Sequence, residues 1–131
     1  MKYVFLLGRV LFSSIFILKS FGHFTADRMA HAGSMGVPIP NLLCPLSGLL
    51  ILLGGLSVLF GYKTHIGAWL LVVFLVPTTF MMHQFWDAEQ GYSAMMESYC
   101  FLKNISLLGA ALMLTYPCGP LGSIKACKCK K

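Results

Sequence analysis

The sequence predicts an all-α integral membrane protein, a bundle of four transmembrane helices that forms a single domain over residues 1–131. Of the 131 residues, 57% are hydrophobic and only 11% are charged, whereas a soluble domain averages about 25% charged residues. The mean hydropathy is +0.77. The sequence also lacks the alternating polar and apolar pattern of strands, so helices must satisfy the backbone inside the bilayer.

The hydrophobic residues are gathered into blocks, which is the second observation behind this fold class. A helix needs about 20 mostly apolar residues to cross the hydrocarbon core. Glycines and prolines precede the second block, the short segment "GYKTH" joins the second block to the third, and Pro117 follows the fourth. The predicted spans are about 3–21, 42–62, 66–84 and 99–116, followed by a flexible basic tail over 118–131.

The first block could also be read as a signal peptide, because Lys2 precedes it and "AHA" at Ala30–Ala32 looks like a cleavage site. Arg9 interrupts the apolar run, however, and the small residues lie about ten positions beyond its end. We therefore interpret this block as a retained transmembrane helix.

The lysines and arginines predict the orientation, since they collect in the short cytoplasmic loops of membrane proteins. A cytoplasmic N-terminus places six lysines inside, at Lys2, Lys63, Lys125, Lys128, Lys130 and Lys131. The other side then holds Arg28 with Asp27, Asp87, Glu89 and Glu97. We expect a multi-pass protein of the inner (cytoplasmic) membrane with both termini in the cytoplasm. The net charge of +6 is then an orientation signal, and no nucleic-acid partner is expected.

Polar residues at the outer end of the third block indicate a binding surface. Thr79, His83 and Trp86 stand at i, i+4 and i+7, so they would share one face of a helix, and Pro77 would kink it. Two interpretations remain open. Tryptophan is enriched at membrane interfaces and a histidine there can be solvated, or the group lines a ligand pocket.

Two other helices carry polar residues that could complete such a pocket. Lys103 and Asn104 open the fourth block on the same outer side. Arg9, in the first block, either faces the bundle or extends its side chain to the nearer interface. The predicted pocket consists of His83, Trp86, Thr79, Lys103, Asn104 and Arg9.

The five cysteines divide between the two sides of the membrane. Cys44 and Cys100 fall near outer helix ends, where a disulfide between them is an open alternative. Cys118, Cys127 and Cys129 fall on the inner side, where thiols stay reduced. The chain contains no CxxC redox motif.

Two segments could bind a metal, although each has a simpler interpretation. His23, Asp27 and His31 would share a face if "HFTADRMAHA" were helical, but the polar face of an interfacial helix has the same pattern. The "CKC" of the tail supplies only two ligands. We expect no metal at either segment.

Several segments together resemble the DoxX family of small four-helix bacterial membrane proteins. They are "GRVLFSSIFILKSFGHF", "MGVPIPNLLCPLSGLLILLGGLSVLFGYKTHIGAWLL", "HQFW" and "FLKNISLLGAALML", and the resemblance covers residues 8–124. It implies similarity to the small subunit of thiosulfate:quinone oxidoreductase and an association with membrane redox and sulfur chemistry. The sequence departs from the family where a glutamate often precedes the paired glycines, because Leu49–Leu53 is apolar here, and His23 stands where a lysine is usual.

These observations predict a membrane component of a redox system, quinone-linked or associated with sulfur metabolism, with a quinone as its small hydrophobic ligand. Its partners would be the lipid bilayer and another redox protein or further copies of itself. The alternative is a non-catalytic accessory or chaperone-like subunit whose helices pack against a partner. Only the redox interpretation requires the outer polar residues.

The orientation can be tested with a membrane-impermeant thiol reagent added to intact, reduced cells. Cys44 or Cys100 should react before Cys127 and Cys129, because the tail would lie in the cytoplasm. Mass spectrometry of the labelled peptides measures the order. Preferential labelling of the tail would reverse the proposed orientation.

Overall fold

A computed structural model describes residues 2–84, 86 and 91–116 of the chain. This described part is all-helical and contains no strand. The predicted tail at 118–131, with its three cysteines, lies outside it. The helices are α1 (Lys2–Gly22), α2 (Ala26–Ser34), α3 (Pro40–Phe60), α4 (Thr64–Met82) and α5 (Tyr92–Thr115).

Three of these helices, α3, α4 and α5, are long and apolar enough to cross a membrane. The first predicted span, at 3–21, is more complicated. Leu6–Gly22 of α1 and Ala26–Ser34 of α2 pass the same test only together, and the chain bends by 93° between them. The described chain therefore has three candidate spans, or four if this bent pair is one broken span.

The helix ends differ from the predicted spans at two places that matter for the site. The third predicted span ran to residue 84, but α4 ends at Met82 and His83 has non-helical backbone angles, φ −127° and ψ 60°. The proposed i, i+4, i+7 face through Thr79, His83 and Trp86 was therefore wrong. Conversely, α5 begins seven residues before position 99, because hydrogen bonding continues a helix beyond the apolar stretch that sequence hydropathy detects.

Helix α3 is the centre of the packing. It contacts α1 on one side, α4 on another and the short α2 near its start, while α5 packs against α4. Their shared core consists of Phe16, Ile51, Val58, Ala68, Leu71, Val72, Leu75, Ala111 and Leu114. Many large apolar side chains on the outer helix faces remain exposed, which suits contact with lipid chains rather than water.

Two glycines allow α3 and α4 to approach closely. A Cβ built on Gly54 would lie 2.8 Å from Leu71 Cδ2 and 3.0 Å from the Gly67 carbonyl oxygen. A Cβ on Gly67 would lie 2.5 Å from both Cβ and Oγ of Ser57. The Ser57 hydroxyl donates a hydrogen bond to the Tyr62 carbonyl at 2.6 Å, so it is not free to move away. Small residues at helix interfaces are a common means of close packing in membranes.

We predict that Gly67→Ala lowers the free energy of unfolding by about 1–3 kcal/mol, because the added methyl overpacks the α3–α4 contact. Gly109→Ala is the matched control, since a Cβ there meets no atom within 4 Å. Thermal unfolding of the purified proteins in one detergent measures both. Equal melting temperatures for the two variants would contradict the close contact.

Candidate ligand-binding site

A cavity of about 740 Å³ lies between the helices near the α1–α2 bend and the end of α4. Small-molecule sites in proteins typically enclose about 300–1,000 Å³, so this volume suits one ligand of moderate size. Most of its wall is apolar. The apolar lining includes Phe16, Ile51, Phe74, Leu75, Met81 and Leu107.

Polar side chains from every helix or its flanking turn also reach the wall of this cavity. They are Lys19, His23, Arg28, His31, Ser47, Thr78, His83, Lys103 and Asn104. The predicted residues His83, Lys103 and Asn104 are thus brought together. Asn104 is 6% exposed, so its amide lies in the protein interior.

His83 is held by an acidic residue of the following helix. Its Nδ1 lies 2.8 Å from Glu97 Oε2, and the two side chains are 19% and 31% exposed. Because an ionised carboxylate only accepts hydrogen bonds, Nδ1 is the donor and Nε2 is the remaining polar atom of the ring. The sequence alone places Glu97 in an outer loop, because hydropathy does not locate the start of α5.

The α1–α2 turn contributes a second ordered histidine. The Ser47 hydroxyl donates its only proton to the Cys44 carbonyl at 2.7 Å, so His23 Nδ1 must donate to Ser47 Oγ in their 2.9 Å contact. The His23 ring also packs edge-on against Phe74, with ring centroids 5.6 Å apart. The sequence marks His23 as a candidate metal ligand and as a departure from the family, but it does not indicate the contact with α3, which depends on the bend after α1.

Two other predicted pocket residues lie outside the cavity wall. Thr79 is buried, and its hydroxyl donates to the Leu75 carbonyl at 2.6 Å within α4. Trp86 is 53% exposed and packs edge-on against Phe101 at 6.2 Å between centroids. Neither side chain lines the cavity.

The DoxX family model matches residues 4–84, more than half of the 131-residue chain. The chain belongs to the DoxX family. No curated protein and no solved structure matches it. The family match covers α1 to α4 and includes His83, whereas α5 with Lys103 and Asn104 lies beyond it.

Arg9 of this DoxX protein lies at the other end of the helices. Its guanidinium donates to the carbonyls of Val58 and Leu59, at 2.8 and 3.0 Å, where α3 ends. Helix α4 starts just beyond and has 19 residues, so about 28 Å of helix separates Arg9 from His83. Arg9 therefore faces the protein, which resolves the alternatives for its side chain, but it does not line the cavity.

The Val58 carbonyl also accepts a hydrogen bond from the Gly61 N–H at 3.2 Å, whereas the Leu59 carbonyl is a helix-end acceptor for which Arg9 supplies the donor. Gly61 follows them in the left-handed region, with φ 70°, and a Cβ there would collide with the Arg9 guanidinium. Gly61 therefore adopts the left-handed conformation that ends α3, and its lack of a side chain leaves space for the Arg9 guanidinium.

The metal candidates of the α1–α2 region do not assemble. Because α2 begins at Ala26, His23 lies in the preceding turn and does not share a helical face with Asp27 and His31. Within residues 2–84, 86 and 91–116, no three histidine, cysteine or acidic side chains are grouped to hold a metal ion.

The two described cysteines of the DoxX protein are free thiols. Cys44 is buried and lines the cavity, while Cys100 is partly exposed. The alternative of a Cys44–Cys100 disulfide is therefore not realised in this structure. Cys100 is also the better reporter in the thiol-labelling experiment, since its side chain is more accessible.

We predict that Arg9→Met lowers the free energy of unfolding by about 1–3 kcal/mol, because two carbonyls at the end of α3 lose a charged donor. Lys63→Met is the control, since it removes a cation from the adjoining turn, where Lys63 lies 5.7 Å from the Tyr62 ring. Melting temperatures in detergent provide the comparison. If both variants have the same melting temperature, the Arg9 hydrogen bonds stabilise the protein no more than the positive charge of Lys63 does.

Proposed function

We propose that this DoxX protein is a membrane component of a redox system and binds a quinone in the cavity beside His83. The observation that supports this most directly is the largely apolar cavity of about 740 Å³ with an oriented histidine at its wall. An apolar chamber suits a ring and its hydrocarbon chain, and a few polar groups suit the carbonyl oxygens.

For the membrane arrangement, we propose a four-helix bundle in which the bent α1–α2 pair forms the fourth span. Contacts of α1 with α3, and of α3 with α4, support it. The asymmetry of lysines supports termini on the cytoplasmic side of the inner membrane. The His83 end of the cavity would then lie near the outer surface.

His83 is suited to the quinone carbonyl because Glu97 holds its Nδ1–H and leaves Nε2 for the ligand. Reduction of a quinone to a quinol consumes two electrons and two protons. The electrons would come from a partner redox protein, and an imidazole can pass protons near neutral pH. Glu97 would keep the ring in one orientation during that transfer.

Lys103 and Asn104 would act on the other polar atoms of the ligand. Both lie on α5 and line the cavity. An ammonium stabilises negative charge that develops on an oxygen during reduction, and the Asn104 amide can donate a hydrogen bond. Trp86 and Thr79 would support the site from outside, through Phe101 and through the α4 backbone respectively.

An accessory subunit that packs against a partner is the second candidate. Helix α5 favours it, because only 17% of its most apolar window is buried and its main contact is α4. Its remaining surface could contact lipid or a helix of another protein. The two functions differ in whether the cavity residues affect ligand binding.

We predict that His83→Gln and Lys103→Met each weaken binding of a short-chain benzoquinone by about fivefold, the loss of one good hydrogen bond. His65→Gln is the control, since His65 is exposed in the first turn of α4. Calorimetric titration at equal folded protein measures the affinities. Quinone extraction from the purified wild-type protein provides an independent check. Unchanged binding in both cavity variants, with no extracted quinone, would favour the accessory subunit.

A further inference from the structure

Three cationic side chains from three different helices line the same cavity. Lys19 lies in the last turn of α1, Arg28 in α2 and Lys103 in α5. All three side chains line the wall of this one cavity, so their positive charges face the same space. The bend between α1 and α2 is what brings Arg28 back towards Lys19.

These cations lack an acidic partner in the part of the chain that the structure describes. The ion pair found there joins His83 to Glu97 and involves none of the three. Like charges that converge at one apolar cavity repel each other. Lys19 and Arg28 are exposed and Lys103 is partly buried, so all three are accessible to a ligand. A single lysine at a helix end needs no explanation, but three cations on separate helices at one cavity are best stabilised by a bound anion.

The cavity also opens sideways onto the lipid-facing surface. Leu18, Leu46 and Val73 line it, yet they are 71%, 54% and 58% exposed. A wall that is shared between a cavity and an outer apolar face gives a hydrocarbon chain a lateral route of entry. A small inorganic anion would make no use of this apolar opening.

We infer that Lys19, Arg28 and Lys103 bind the phosphate headgroup of an acidic phospholipid whose acyl chain enters the cavity between the helices. The planar guanidinium of Arg28 can bind two phosphate oxygens at once, and the two ammonium groups supply further charge-assisted hydrogen bonds. The inference shares the cavity of the proposed function, but it holds whether or not a quinone binds at His83.

The experiment compares lipid binding to the full-length protein in a non-ionic detergent by native mass spectrometry. The probes are short-chain phosphatidylglycerol, phosphatidylcholine with the same chains, and inorganic phosphate. We expect phosphatidylglycerol to bind about tenfold more tightly than phosphatidylcholine, because only its headgroup carries a net negative charge. Phosphate alone should bind far more weakly than phosphatidylglycerol.

The variants Lys19→Gln and Arg28→Gln should each reduce phosphatidylglycerol binding about tenfold and leave phosphatidylcholine binding unchanged. Lys63→Gln removes the same charge from the α3–α4 turn and should have no effect. Lys19→Arg retains the positive charge and should bind phosphatidylglycerol as tightly as the wild-type protein does. The melting temperature of each variant confirms that the compared proteins are folded.

Equal affinity for the two lipids would overturn the inference, as would an equal loss of binding in Lys63→Gln. Phosphate binding as tight as that of phosphatidylglycerol would assign the cations to a free anion rather than a lipid. His83→Gln separates the two proposals, since it should weaken quinone binding and preserve the preference for the acidic lipid.

Discussion

The absence of water in the hydrocarbon core is the constraint on which the rest of this structure depends. Every backbone polar group there must be paired within the protein, so the chain crosses as helices. Polar side chains follow the same rule: Thr79 and Ser106 donate to carbonyls four residues earlier, at 2.6 and 3.0 Å. At the end of α3, where few backbone donors remain for the last carbonyls, Arg9 donates to those of Val58 and Leu59. The charged group of an otherwise apolar helix is thereby paired within the protein.

The same constraint explains why the α1–α2 bend is important. A break in a helix frees backbone groups, which are tolerated at membrane depth only where protein or a polar cavity satisfies them. Here the turn residues His23 and Thr25 bond back to carbonyls of α1, and the His23 side chain reaches Ser47 on α3. Gly48, whose Cβ would lie 2.8 Å from His23 Cβ, leaves room for this contact. The residues around the break therefore form part of the cavity wall, including the two cations Lys19 and Arg28.

The candidate site combines residues that the sequence revealed to different degrees. His83, Lys103 and Asn104 are polar residues at the ends of apolar blocks, and such positions are visible in a hydropathy pattern. Glu97 was missed as a partner because the beginning of α5 lies in a polar segment without periodicity. Lys19, Arg28 and Ser47 were missed because each looks like an ordinary residue of a helix end or interface when taken alone. Their convergence results from the bend between α1 and α2, and the local sequence around Gly22 does not specify the angle of that bend.

Hydropathy by itself determined that this is a membrane protein and located three long apolar helices, because burying about 20 residues in lipid leaves a strong one-dimensional signal. Motif order also identified the family. Only the tertiary structure decided that α4 ends before His83, that Arg9 caps α3 far from the cavity, and that His23 turns towards Ser47. These outcomes depend on where each helix ends and which helix faces pack together. Helix ends and packed faces are set by contacts between residues distant in the chain, which no local pattern encodes. The hydrogen bond between Arg9 and Val58, 49 positions apart, is one such contact.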